Sequence, residues 1–150
     1  MSLLMRYILV LLLLLSSCTK KESAEDVLSD FIKYRFNKNQ SREMLLERTT
    51  GALFQKIREM DEETLTQFVY NDDLKLRKYK VNLSRCSDET CFITYTLAYD
   101  QSDEKGRAYE TVIKKIAEVQ KEDEMWKISD VSNVKTYIDS KRPINTGNQK

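Results

Sequence analysis

Residues 74–99 read LKLRKYKVNLSRCSDETCFITYTLAY, and their alternation decides the fold. Apolar side chains fall first on the even positions Leu74 and Leu76, then on the odd positions Tyr79, Val81 and Leu83. A period of two marks a half-buried strand, and one change of parity inside it is what a β-bulge produces, here near Arg77-Lys78. After Cys91 a second strand over 91–99 sets Ile93, Tyr95, Leu97 and Tyr99 on one face and Phe92, Thr94, Thr96 and Ala98 on the other. The polar tetrapeptide Ser87-Asp88-Glu89-Thr90 joins the two as a hairpin with a cysteine at each base. Cysteines so placed come within disulfide reach, and closing so short a loop stabilises the fold by about 2 kcal/mol while pinning the register. Direct opposition of Cys86 and Cys91 would set Leu83 against Thr94 and Val81 against Thr96, joining an apolar face to a threonine face. Either a second bulge beside the disulfide or partial cover on both sheet faces resolves this.

Downstream, a third strand over 108–119 carries Tyr109, Thr111, Ile113, Ala117 and Val119 in one parity, interrupted by Lys115. A turn is expected over 120–124 and a last clear strand over 125–131, with Trp126 and Ile128 in register. Beyond it, Val131, Val134 and Ile138 suit a helical turn as well as a strand. Upstream the period lengthens to about 3.6. Ser23, with Asp26 three residues on, opens a helix through Ala24, Val27, Leu28, Phe31, Tyr34 and Arg35. Asn37 to Asn39 should end it. A second helical stretch begins at Ser41, a third runs through Leu53, Phe54 and Ile57, and a fourth begins at Asp61 and carries Leu65, Phe68 and Val69. Helices followed by an antiparallel meander predict one α+β domain over 23–138, with the N-terminal helices packed on a curved sheet. Residues 139–150 read as a disordered tail.

The N-terminus differs from all of this. The first seventeen residues hold Arg6, no acid and an apolar run from Ile8 to Leu15. Eight residues are far short of the roughly 20 that span a bilayer, so 1–17 reads as a signal peptide. Leu15-Ser16-Ser17-Cys18 resembles the lipobox of bacterial lipoproteins, which implies a diacylglycerol on Cys18, cleavage before it and a tether over 18–22. Two or three acyl chains hold a protein firmly on a membrane. Thr19, in place of the aspartate that resembles an inner-membrane retention signal, points to the outer membrane, facing the periplasm. The element order, the hairpin disulfide and the segment Met125-Trp126-Lys127-Ile128-Ser129-Asp130-Val131 resemble small lipoproteins of the nuclear-transport-factor-like superfamily. That resemblance implies a cystatin-like cone over roughly 23–137.

Composition excludes several chemistries. The chain has no histidine and only three glycines, which rules out imidazole catalysis and a phosphate-cradling loop. Zinc wants four ligands, and Cys-x4-Cys is not the Cys-x-x-Cys of a redox centre, so neither a metal nor another cofactor is expected. The 25 basic and 24 acidic side chains become 24 of each once Arg6 leaves with the leader, and a neutral chain lacks the basic footprint of a nucleic-acid binder. Lys75, Arg77, Lys78, Lys80 and Arg85 share one strand, where lysines more simply guard an edge than meet lipid phosphates or an anionic polymer. In the superfamily the hollow of the cone sometimes pairs a carboxylate with a tyrosine. Here Tyr95, Tyr99, Tyr109 and Trp126 would line it, with Asp130 or Glu110 as the acid, though aromatic residues at strand spacing are core far more often than pocket. The reading is therefore a membrane-anchored, non-catalytic binding or assembly module in the cell envelope, with no catalytic residue assigned, whose partner is an envelope protein or a small ligand. The alternative is a hydrolase- or isomerase-like enzyme using the carboxylate and tyrosine.

Overall fold

In a computed structural model the described residues are 21–37, 39–69, 74–102, 106 and 108–137. The expected leader, Cys18 and the tail over 139–150 lie outside them.

Helix α1 (Ala24–Arg35) starts where Ser23 and Asp26 form a reciprocal capping box. The Ser23 hydroxyl oxygen accepts from the Asp26 N–H at 3.1 Å, and the Asp26 carboxylate accepts from the Ser23 N–H at 3.2 Å. Glu25 and Asp26 in its first turn and Lys33 and Arg35 in its last complement the helix dipole. Its apolar stripe buries Ala24, Leu28, Phe31 and Ile32. Ser41 caps α2 (Arg42–Glu47), which leads through a tight bend to α3 (Gly51–Glu59). The Asp61 carboxylate accepts from the Thr64 N–H at 2.6 Å and starts α4 (Glu62–Val69). Arg42 joins three of these helices: it donates to the carbonyls of Ile57, Arg58 and Met60 at 2.8–3.1 Å, closing the C-terminal end of α3, and to Glu62 at 2.7 Å.

Four antiparallel strands follow in sequential order: β1 (Lys75–Cys86), β2 (Thr90–Ser102), β3 (Ala108–Glu122) and β4 (Met125–Tyr137). Cys86 and Cys91 pair directly and are bonded, with Cα atoms 4.0 Å apart. The register slips between Leu76 and Lys78, where the parity change placed a bulge, and again between Val81 and Leu83. The second slip resolves the conflict of faces: Val81 pairs with Tyr95 on the inner side, while Leu83 pairs with Thr94 and is 50% exposed. Helices cover one face alone, and Phe92 and Val134 on the other strands are about as exposed as Leu83.

The strands run further than their apolar residues suggest. β2 extends through Asp100-Gln101-Ser102, β3 to Glu122, and β4 stays extended to Tyr137. Polarity there marks exposure to water, while backbone pairing continues. The turn shrinks to Asp123 and Glu124, both at positive φ, 50° and 65°, as a two-residue hairpin requires.

The expectation of a curved sheet closing into a cystatin-like cone is corrected. The sheet is open, neither closed nor curled: among the described residues β1 pairs with β2 alone. Closure needs the end strands to meet, and the free edge strand β1 carries Lys75, Arg77, Lys78, Lys80 and Arg85, all exposed, which disfavour further pairing. The opposite edge is covered locally: Ile128 N–H donates to the Arg48 carbonyl at 3.0 Å and Thr50 N–H to the Ile128 carbonyl at 2.9 Å. Leu28, Leu45, Ile57, Ile93, Tyr95, Val119 and Ile128 form the fully buried centre between helices and sheet.

That edge contact depends on Gly51, at φ +53°, where an added Cβ would sit 3.3 Å from Ser129 Cβ. Gly51→Ala should cost about 1.5 kcal/mol, combining left-handed strain with the close approach. Gly106→Ala, at φ +71° with nothing within 4 Å, is the control that carries strain alone. Equal shifts in the urea midpoint for the two variants would refute the contact's contribution.

Candidate functional site

Odd-numbered positions of β2 and β3 face the helices. Tyr95 pairs with Lys115, Leu97 with Ile113 and Tyr99 with Thr111. A register shift between Glu118 and Val119 brings Val131 and Asn133 of β4 to the same face, opposite Ala117 and Lys115. Over this end of the sheet lie Phe31 and Arg35 of α1, Phe36 just past its end, Lys56 of α3 and Phe68 of α4, and together they line a hollow of about 390 Å³. That volume lies in the range of small-ligand clefts.

The wall is apolar and aromatic with three cations, Arg35, Lys56 and Lys115, and no carboxylate among the described residues that line it. The Arg35 guanidinium lies 3.8 Å from the centre of the Phe68 ring and donates to the Phe68 carbonyl at 2.6 Å and to Gln40 Oε1. Burial pulls its pKa down to about 10. The Lys115 ammonium is also held below its usual range, first by burial and then by repulsion from Arg35. Tyr95 forms part of the floor. It is fully buried, its ring lies 5.7 Å from that of Tyr79, and neither hydroxyl has a hydrogen-bond partner. Burial pushes Tyr79 up to about 12 and Tyr95 further still. Both hydroxyls therefore stay protonated at ordinary pH, which makes them poor bases. An unsatisfied buried hydroxyl costs about 1–3 kcal/mol, so the Tyr79–Tyr95 pair carries a stability cost.

Of the four aromatic residues expected to share a pocket, Tyr95 and Tyr99 meet here, with Tyr99 against the Phe36 ring at 5.7 Å. Tyr109 pairs with Gln101 nearer the strand end and is not part of the wall. Trp126 sits at the disulfide end, opposite Lys121, whose ammonium lies 4.9 Å from the ring centre. It lines a separate surface hollow with Arg48 and Met125. Neither proposed acid reaches the tyrosines: Glu110 lies on the outer sheet face near Arg77, Lys78 and Lys80, and exposed Asp130 accepts from the Ser132 hydroxyl. Among the described residues no three His, Cys, Asp or Glu side chains gather into a metal site. Sequence reasoning missed the cations as a group. The signal was the charged Lys115 in an inward parity, which reads as an interruption when only apolar spacing is sought.

No protein-family model and no curated protein matches the chain. Solved structures similar to it include two of different origin. The intermembrane space region of the chloroplast protein ARC6 superposes with a TM-score of 0.56 at 23% identity, covering 77% of this chain and 96% of that one. A SEC-C motif containing protein from Rhodopseudomonas palustris gives 0.56 at 14% identity, covering 81% and 87%. At such identity these likenesses speak for the fold alone: a small α+β domain with helices on an open antiparallel sheet. They replace the resemblance to lipoproteins of the nuclear-transport-factor-like superfamily, whose cone this sheet does not form. No lipobox is shown, and Leu15-Ser16-Ser17-Cys18 lies outside the described residues.

Proposed function

We propose that the chain is an envelope-associated, non-catalytic binding module, and that the hollow between α1, α4 and the sheet receives its ligand. The observation that carries this reading is the make-up of the wall: apolar side chains with cations, and protonated tyrosines in place of a base. Two features support the location. A bonded Cys86–Cys91 pair fits an oxidising compartment outside the cytosol. The ARC6 region, similar in fold, is described as facing an intermembrane space. The finer reading is attachment through an acylated Cys18 to the outer membrane, facing the periplasm, and it rests on the order of charge, apolar run, small residues and cysteine in residues 1–18.

The attachment has a direct test. In a diderm bacterial host grown with labelled palmitate, the parent chain takes up label and fractionates with membranes, whereas Cys18→Ala takes up none and keeps its leader. Label persisting on Cys18→Ala would remove the attachment point, and recovery of the parent chain in the cytosol would remove the location.

A further inference from the structure

We propose that the hollow binds a small amphiphilic carboxylate, its apolar body against Phe31, Phe36 and Ile113 and its head between Arg35 and Lys115. This deepens the binding-module reading and rests on it. Arg35 and Lys115 come from different layers, the end of α1 and the central strand β3, yet both line this hollow, where the Arg35 charge disfavours that of Lys115. Like charges brought together in a partly buried site destabilise each other unless an anion sits between them. The Lys115 and Lys56 ammonium groups make no hydrogen bond or ion pair with the described residues, and the Arg35 guanidinium donates to the neutral Gln40 side chain and the Phe68 carbonyl. With three cations and no carboxylate among the described residues that line it, the wall is positively charged and complements an anionic guest. The apolar part of the wall requires that guest to carry a hydrocarbon body as well. A planar carboxylate matches the guanidinium fork.

The test is equilibrium dialysis of the full chain in phosphatidylcholine nanodiscs, with empty nanodiscs subtracted, against octanoate, octan-1-ol and octylammonium. Octanoate is expected to bind one per chain and at least roughly tenfold more tightly than octanol, the ratio of one charge-assisted contact. Lys115→Met should abolish that preference, octanoate then binding no more tightly than octanol. Lys56→Met, at an exposed position, should weaken octanoate binding by about threefold and serves if the first variant does not fold. Equal affinity for octanoate and octanol, a preference for octylammonium, or octanoate binding indifferent to both variants would overturn the anion inference while leaving a binding hollow in place. Failure of all three probes to bind the parent chain would remove the carboxylate and the hollow's role together, with the envelope location still standing on its own labelling test.

Discussion

The double variant Cys86→Ser, Cys91→Ala should unfold about 3 kcal/mol more easily than the parent chain, read as a lower urea midpoint with refolding intact. About 2 kcal/mol of this is the chain entropy released when so short a loop is no longer closed. The remaining roughly 1 kcal/mol is the loss of a sulfur from the buried position 91. The consequence extends beyond the hairpin because β1 is an edge strand interrupted by two register shifts. A slip of one residue would turn its inner side chains, Leu76, Tyr79 and Val81, toward solvent, and an edge strand has one neighbour to oppose the slip. The covalent pair fixes that choice at one end. A midpoint unchanged by the double substitution would mean that packing of those three side chains already sets the register.

How much of this was legible in the sequence depends on how local the cause is. Ser23 and Asp26 specify a helix start within four residues, and the bulge at Arg77 leaves its mark in the parity of adjacent apolar side chains. The second bulge was readable only as a conflict, because Leu83 against Thr94 is tolerable on an open face and intolerable on a covered one. Whether the sheet closes is not local. It depends on whether two edges far apart in the chain meet, and the charged edge of β1 and the Arg48–Thr50 contact on β4 both decide against it. The superfamily resemblance alone implies that Trp126 and Tyr109 share one pocket. Strand length then separates them, since Trp126 lies near the disulfide and Tyr109 near the other end of the same sheet. The cations of the hollow come from α1, α3 and β3, and no spacing rule joins residues 35, 56 and 115.

Replacing Arg35 by methionine should release α4 before it unfolds the domain. Of its eight residues α4 fully buries Leu65 alone, with Phe68 and Val69 packed partly against the core. Its C-terminal carbonyls are held from the end of α1 and the segment after it: Arg35 donates to the Phe68 carbonyl at 2.6 Å and stacks on its ring, and Gln40, itself bonded to Arg35, donates to the Val69 carbonyl at 3.1 Å. A charge-assisted hydrogen bond with a cation–π contact contributes about 2 kcal/mol in a partly buried setting. Amide exchange over Glu62–Val69 should therefore quicken by about 30-fold in Arg35→Met, while β2 and β3 keep their protection. Uniform loss of protection would make Arg35 a determinant of global stability, and no change would mean that Leu65 and Phe68 hold the helix unaided. Because Phe68 and Arg35 both line the hollow, the bonds that hold α4 and the cation that faces a guest belong to one side chain.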